Sequence, residues 1–239
     1  MIKIFTYVGN QRGDQSGTYQ VVDKFINRLS EKMPIESVIY TSRDSNIRTC
    51  RGCTKCFSAW GECRAIDDDL NSLIEQMEKS DIIILASPVY VHNVSGDMKN
   101  FIDRLAVWTH LLKLVGKLGI SITYSGSNGN EEVATYLNKI LTYWGMPVIG
   151  SLNIAHLVDE DGVVASKIDD LVARTIQSTS DSKSLNFKTL EKIFELYKEH
   201  YEKIGKCSPN HPEYQYWEQK EYLAESKYET LFFKYTHLS

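Results

Sequence analysis

The sequence predicts an α/β fold built on a doubly wound, five-stranded parallel sheet. Short apolar runs alternate with stretches whose apolar residues recur every three or four positions, which is the pattern of strands alternating with helices. The run from Asp81 to Ala86 is uninterrupted and rich in Ile, as is typical of a central parallel strand buried on both faces. The five expected strands are residues 2–8, 35–40, 81–86, 118–123 and 148–154.

Helices are expected between these strands because each intervening stretch carries one apolar face. In such sheets, ligands bind beyond the carboxyl ends of the strands near the topological switch point, so the loops after strands one, three and four are the candidates for a site. The three acidic residues 67–69 suit the cap and first turn of the second helix. The expected apolar faces are Val21, Val22, Phe25, Ile26 and Leu29; Leu70, Leu73, Ile74 and Met77; Met98, Phe101, Ile102 and Leu105; and Val133, Tyr136, Leu137, Ile140, Leu141 and Trp144.

The chain is divided by its pattern into a sheet domain, residues 1–176, and a C-terminal extension, residues 177–239. The polar residues 177–184 indicate a linker or an exposed loop, and the apolar spacing over 187–201 predicts another amphipathic helix. Seven of the 14 tyrosines lie at or after Tyr197. So aromatic a tail is expected to wrap its own domain or a partner subunit.

The overall charge and the N-terminus exclude several classes of protein. A formal net charge of −4 with no dense basic run argues against a nucleic-acid partner. The first residues form a strand rather than a signal peptide, and the longest apolar run is far too short for a membrane span. We therefore expect a cytoplasmic protein without a membrane partner, whose cysteines are reduced or ligated.

Loop 1, residues 9–18, has the composition of a phosphate-binding loop. It joins a strand to a helix, and it offers backbone N–H groups, the hydroxyls of Ser16 and Thr18, and the guanidinium of Arg12. It matches neither the dinucleotide nor the nucleoside triphosphate motif, so a mononucleotide is the better expectation. The alternative is an ordinary strand-to-helix loop with a hydroxyl cap.

Loop 2, residues 86–96, and loop 3, residues 124–130, follow the third and fourth strands. Loop 2 offers an aromatic side chain, a Pro-stiffened turn and exposed amides, which suit the edge of a planar heterocycle. In loop 3, Gly126 and Gly129 would let the backbone approach a ligand closely, although a flexible turn accounts for them equally well. His92 is expected to be solvated, and Asp103 and Arg104 are expected to form a structural ion pair.

The cysteine segment, residues 50–63, contains four of the five cysteines. Cys50, Cys53, Cys56 and Cys63 could hold a [4Fe–4S] cluster or a tetrahedral zinc, or they could be an unused motif with free thiols. Closed zinc sites usually pair two separated Cys-x-x-Cys units, so the tight spacing here favours the cluster. Cys207 stands apart and is expected to be structural or incidental.

The order of these loops resembles the flavodoxin-like NAD(P)H-dependent FMN reductase family. The resemblance rests on two sequence motifs, Ser-Pro-Val-Tyr at 87–90 and Ser-Gly-x-Met-Lys-Asn-Phe-Ile-Asp-Arg at 95–104. The cysteine segment running into Asp-Asp-Asp-Leu at 67–70 is similar to the iron–sulfur flavoprotein branch of that family. The resemblance covers about residues 1–157. The family's usual Gly-Ser-Pro-Arg opening is Gly-Asn-Gln-Arg at 9–12 here, which removes one expected phosphate-facing hydroxyl.

The resemblance implies FMN, an NAD(P)H donor and a dimer or tetramer with the cluster near a subunit interface. It places the phosphate at loop 1 and the isoalloxazine ring against loops 2 and 3. The implied cofactor-binding residues are Asn10, Arg12, Ser16, Thr18, Pro88, Val89, Tyr90, Val91, Asn93, Ser125, Gly126 and Gly129.

The predicted function is that of an FMN-dependent oxidoreductase. It would move electrons from NAD(P)H, or from a reduced partner, to a small-molecule or protein acceptor, with or without a [4Fe–4S] cluster. The flavin carries the chemistry, so no catalytic acid, base or nucleophile is expected. One alternative is an electron-carrier flavoprotein without its own substrate, which the net charge of −4 and the aromatic tail fit poorly. Another is a quinone or azo reductase whose cysteines are idle.

Overall fold

Five parallel strands form one sheet in the order β2-β1-β3-β4-β5, which confirms the predicted doubly wound architecture. The computed structural model describes residues 1–63 and 67–238. The strand order reverses between β1 and β3, so the carboxyl ends of these two strands and of neighbouring β4 flank the switch point. The strands are β1 (Ile2–Val8), β2 (Ile35–Thr41), β3 (Ile82–Pro88), β4 (Leu118–Ser125) and β5 (Val148–Ala155).

Helices cover both faces of the sheet and bury the apolar faces that the sequence predicts. Serine side chains cap the N-termini of two of these helices. Ser16 Oγ accepts a hydrogen bond from the Tyr19 N–H at the start of α1, and Ser95 Oγ accepts one from the Met98 N–H at the start of α3. The helices are α1 (Gly17–Ser30), α2 (Leu70–Lys79), α3 (Gly96–Arg104), α4 (Trp108–Leu111), α5 (Asn130–Tyr143), α6 (Asp161–Ser180), α7 (Lys188–Cys207), α8 (Pro212–Gln219) and α9 (Tyr228–Tyr235). Among the described residues, none of these helices is long and apolar enough to cross a membrane.

The predicted linker at 177–184 is wrong in its first half, because α6 continues to Ser180. The hydroxyls of Thr175 and Thr179 donate to the carbonyls four residues earlier, at Leu171 and Thr175, and both threonines are buried. Polar residues therefore extend the helix here instead of ending it. The division of the chain at residue 176 stays a prediction.

The aromatic C-terminal extension packs on its own domain, which is the first of the two expected alternatives. Trp217 is fully buried, and its Nε1–H donates to the carbonyl of His110 at 3.0 Å. The hydroxyl of Tyr228 donates to the Gly145 carbonyl after α5. Glu213 of α8 contacts His110 Nδ1 at 3.1 Å, and the ring of His110 lies 5.4 Å from the ring of Phe57 in the cysteine segment. The extension thus supports the cysteine segment from outside the sheet.

Candidate functional site

Loops 1, 2 and 3 meet at the carboxyl edge of the sheet, in direct contact with one another. Ser95 Oγ at the end of loop 2 donates to the Gly9 carbonyl of loop 1 at 2.6 Å. A Cβ on Gly129 of loop 3 would lie 2.7 Å from Val89 of loop 2, and a Cβ on Gly17 would lie 2.2 Å from the Tyr124 ring. The structure therefore brings the three predicted loops together as one site.

Asn10 supplies the clearest sign that this site is built for a ligand. It is the second residue after β1, and only 4% of its surface is exposed. Within residues 1–63 and 67–238, neither its side-chain oxygen nor its side-chain nitrogen has a hydrogen-bond partner. A buried amide without partners is costly, so its donor and acceptor are available to a polar group bound between the loops.

The other predicted residues of loop 1 surround the start of α1. Ser16 caps the helix, Thr18 is buried in its first turn, and Arg12 is exposed. The sequence analysis missed a second cation, Arg43, whose side chain comes from the loop after β2 and would lie 3.2 Å from a Cβ on Gly13. Two guanidinium groups and a helix N-terminus give this loop the positive potential that an anion needs.

Loop 2 is held in a strained, tight turn. The N–H and carbonyl groups of Tyr90 and Asn93 are paired with each other at 2.9 and 3.0 Å. The two residues between them, Val91 and His92, have φ values of +51° and +56°, although 96% of the Val91 surface is exposed. A β-branched residue is rare in this conformation, and such strain is found mainly at ligand clamps and active sites. Pro88 ends β3 immediately before this turn.

Loop 3 contributes an accessible stretch of backbone and one aromatic ring to the site. Around a Cβ on Gly126, the nearest atom would be a Leu157 methyl carbon at 3.8 Å, so the backbone there is accessible. Ser125 Oγ accepts from Asn130 Nδ2 at 2.8 Å. The Tyr124 ring stacks on His156, with centroids 5.3 Å apart, and covers the start of α1. Tyr124 begins predicted loop 3 but is not among the implied cofactor-binding residues, because only the fold brings the end of β4 to α1.

Two clefts flank the loops. One, of about 670 Å³, lies between loop 3, β5 and α6, and His92, Lys167, Asp170 and Arg174 are among its lining residues. His92 is exposed as predicted, with 57% of its side chain in solvent, and its Nδ1 lies 3.2 Å from the equally exposed Glu132. The second cleft, of about 450 Å³, separates loop 1 from the chain that leads into the cysteine segment.

The four clustered cysteines are free thiols that share one neighbourhood. Cys50 and Cys53 are exposed, whereas Cys56 and Cys63 are half-buried. Burial raises the pKa of Cys56, and the thiols of Cys63, Cys50 and Cys53 raise it further. Within the described residues, no three Cys, His, Asp or Glu side chains are arranged to hold a metal ion. The donor set fits a thiolate-bound cluster, but the segment does not hold its sulfur atoms in a ligating arrangement here.

The expected ion pair between Asp103 and Arg104 is wrong. Asp103 pairs with Lys99 on the exposed side of α3, and Arg104 turns inward to a buried pair with Asp68. Burial would raise the pKa of Asp68, but hydrogen bonds from Arg104 and from backbone N–H groups outweigh it and lower that pKa. The partner lies 36 residues away along the chain, so neighbouring positions on α3 could not reveal it.

Curated relatives described as iron-sulfur flavoproteins match a large part of the chain. An iron-sulfur flavoprotein of Archaeoglobus fulgidus is 39% identical over 150 residues, which are 60% of this chain and 66% of that protein. The match thus falls just short of two thirds of that relative's length. An iron-sulfur flavoprotein of Methanocaldococcus jannaschii is 26% identical over 208 residues, which are 83% of this chain and 98% of that protein.

Solved structures with the same fold include flavoenzymes. The structure of RosB with a bound riboflavin-5′-phosphate derivative aligns with a TM-score of 0.60 at 16% identity, covering 74% of this chain and 81% of that one. An FMN-dependent NADH-azoreductase of Bacillus anthracis aligns with a TM-score of 0.56 at 13% identity, covering 74% and 99%. At these identities the likeness shows the flavodoxin-like fold alone.

The family is established by a match to the sequence itself. The sequence model described as NADPH-dependent FMN reductase matches residues 2–158, which include all three loops and the cysteine segment. That segment of the chain is also the part that forms the sheet and the carboxyl-edge site. The chain therefore belongs to the NADPH-dependent FMN reductase family, which confirms the predicted family and its flavin oxidoreductase class.

Proposed function

We propose that this protein is an FMN-dependent oxidoreductase that moves electrons from NADH or NADPH to a small-molecule or protein acceptor. The observation that carries the proposal is the convergence of loops 1, 2 and 3 around the buried amide of Asn10, which has no hydrogen-bond partner in the described part of the chain. Bound FMN would supply the chemistry, accepting hydride from the nicotinamide and passing electrons on. The side chains have to bind and orient the flavin, and none has to act as an acid or base.

The phosphate and ring of FMN call for different surroundings, and the loops offer both. Loop 1 would hold the phosphate with Arg12, Arg43 and the first turn of α1, while Asn10 bonds a polar group of the flavin or its ribityl chain. The isoalloxazine ring requires apolar contact and edge hydrogen bonds, which Pro88–Asn93 and the open backbone at Gly126 provide. The 670 Å³ cleft is lined by charged side chains on its α6 side, so it suits a flavin ring poorly.

We further propose that Cys50, Cys53, Cys56 and Cys63 carry a [4Fe–4S] cluster that serves as a one-electron relay. Support comes from the four free thiols and from the relatives described as iron-sulfur flavoproteins. Forming the cluster requires the four sulfur atoms to come closer together, because no metal-ligating arrangement is found among the described residues. Zinc in the same four thiols and an empty motif are the competing outcomes.

The exposed apolar side chains beside the flavin loops favour self-association. Tyr90, Val91, Leu157 and Val158 are each more than half exposed and lie on or next to loops 2 and 3. Apolar groups clustered at a site edge usually become buried against a partner or substrate. We propose a homodimer or homotetramer in which a neighbouring subunit covers this edge, which sedimentation equilibrium of the FMN-loaded chain would test.

The proposed function is tested by anaerobic purification followed by visible spectroscopy and steady-state assays. We expect stoichiometric FMN, iron and sulfide, and oxidation of NADH or NADPH when a quinone or a ferric acceptor is added. FMN binding without turnover for any donor and acceptor would instead assign an electron carrier. A colourless protein that takes up no FMN would contradict the proposal. FMN without iron, together with turnover, would assign a reductase with idle cysteines.

A further inference from the structure

One face of α3 holds both ends of the cysteine segment. Asn100 Oδ1 accepts the backbone N–H of Cys50 at 3.2 Å, and Asn100 Nδ2 donates to the Ile47 carbonyl at 2.8 Å. One helical turn further on, Arg104 Nε donates to the sulfur of Cys63 at 3.3 Å. Residues four positions apart share a helix face, so a single rigid surface fixes the first and the fourth cysteine.

Arg104 reaches Cys63 from a fully buried position. Its side chain is 0% exposed, and that of its partner Asp68 is 1% exposed. Removing such a pair from water costs several kcal/mol per ion, and apolar side chains of the same volume often serve stability as well or better. Packing alone therefore does not account for a charged residue at this place.

The geometry of the pair directs one particular N–H group at the sulfur. The two terminal nitrogens of Arg104 donate to the two oxygens of Asp68, and one of them also donates to the Arg48 carbonyl at 2.7 Å. Because the guanidinium is planar, the carboxylate of Asp68 fixes its plane and leaves Nε aimed at Cys63. Asp68 thus orients Arg104, and Arg104 orients Cys63.

The same helix begins at the flavin loops. Its N-cap, Ser95, bonds both the first turn of α3 and the Gly9 carbonyl of loop 1. One helix of nine residues, Gly96–Arg104, therefore connects the proposed flavin site to the cysteine segment. A rigid element of this kind can keep two redox centres in a fixed relation.

We propose that Asn100 and Arg104 are positioning residues for a cluster on the cysteine segment. Asn100 anchors the Cys50 end, and Arg104, held by Asp68, anchors Cys63 and raises the reduction potential of the cluster. Hydrogen bonds to ligand sulfur and nearby positive charge are established determinants of cluster potential. The inference rests on the proposed cluster and adds the residues that place and tune it.

The test compares variants of the full chain reconstituted anaerobically with iron and sulfide. R104Q/D68N removes both charges of the buried pair together, and R104K keeps the positive charge but removes the planar guanidinium. N100A removes the side chain that holds the Cys50 end. D103N is the matched control on α3, because the Asp103 side chain is 45% exposed. Iron and sulfide retention, the potential from an EPR-monitored redox titration, and FMN affinity are measured for each. FMN affinity reports whether the fold is kept.

We expect R104Q/D68N to bind the cluster about 10–100-fold less tightly, in the range found for partners of metal ligands. Its potential should be more negative than that of the wild type. R104K should recover part of the potential but not the retention, and N100A should lose retention at an unchanged potential. D103N should match the wild type in both.

The outcomes that would overturn the proposal also separate it from the proposed function. Wild-type potential and iron retention in R104Q/D68N, or an equal shift in D103N, would remove the role of Arg104 while leaving the cluster in place. A wild-type chain that binds FMN but retains no iron or sulfide would overturn the cluster and this inference together, leaving the flavin site intact. Loss of iron in R104Q/D68N without any change in potential would overturn the role of Arg104 in setting the reduction potential and leave only its role in anchoring Cys63.

Discussion

Replacing Asn10 with Leu should stabilise the FMN-free protein while weakening FMN binding. The side chain is 4% exposed, and its two polar atoms lack partners within the described residues. Burying an amide unpaired costs about 1–3 kcal/mol in mutational series. Leu has the same branched arrangement of side-chain heavy atoms and no such cost, so we expect the free energy of unfolding of the FMN-free chain to rise by about 1–3 kcal/mol.

The same substitution removes the hydrogen bonds that Asn10 would make to bound FMN. Losing one bond to a charged group, or two to neutral groups, costs about 1.5–3 kcal/mol, which raises the dissociation constant for FMN about 10–100-fold. Urea denaturation of the FMN-free chain and fluorescence titration with FMN measure the two effects separately.

Thr6→Val is the matched control for Asn10→Leu. Thr6 lies on β1, four residues before Asn10, is fully buried, and its hydroxyl also lacks a partner within the described residues. It lies inside β1, before the loops. Thr6→Val should stabilise the FMN-free chain and leave FMN affinity unchanged. If Asn10→Leu destabilises the FMN-free chain, or binds FMN as the wild type does, the role assigned to Asn10 is refuted.

Three further predictions concern the loops and the extension. Gly17→Ala should destabilise the chain by about 1–3 kcal/mol in thermal melts and weaken FMN binding, because its Cβ would lie 2.2 Å from the Tyr124 ring. Gly96→Ala is the control: a Cβ there would have no atom within 4 Å, so the variant should be neutral or slightly stabilising in the same melts. Val91→Gly should relieve backbone strain and raise the free energy of unfolding by up to about 1 kcal/mol, whereas Val91→Ala keeps a strained positive φ and should not. Equal free energies of unfolding for the two variants would contradict the presence of strain at Val91. The hydrogen bond to Glu213 raises the pKa of His110, so its contribution is complete below the unfolded pKa of about 6.5 and is lost as pH rises through the raised value. With His110 45% exposed, we expect a loss of about 0.5–1 kcal/mol in urea melts between about pH 6 and about pH 8, absent in Glu213→Gln; an identical slope in that variant would contradict the assignment.

The strands, the helical faces and the three loops could be predicted from the sequence because each depends on local pattern. Ile82–Ser87 is apolar enough to require burial on both faces, and Ser16 and Ser95 cap helices from within their own loops. The end of α6 could not be predicted in this way. Serine and threonine are unfavourable in helix interiors, but here Thr175 and Thr179 bond backbone carbonyls and are buried.

The contacts that tie the site together depend on tertiary structure and leave no local signal. Arg104 forms an ion pair with Asp68, which lies beyond the cysteine segment in the sequence. The Tyr124 ring packs against Gly17, and the Arg43 side chain packs against Gly13 from the loop after β2. The resemblance placed the family correctly, but it did not distinguish the inward-facing Arg104 from the outward-facing Asp103. That distinction follows from the side of α3 on which the cysteine segment packs.

The central claim is that one chain holds FMN and a cluster that exchange electrons. The most direct measurement is an anaerobic titration of the FMN-loaded, reconstituted chain with NADH or NADPH, followed by visible absorption and EPR. We expect bleaching of the flavin band, an EPR signal from a reduced cluster, and uptake of one electron more per chain than FMN alone accepts. Uptake that stops at the capacity of FMN, with no cluster signal in a chain that contains iron and sulfide, would contradict it.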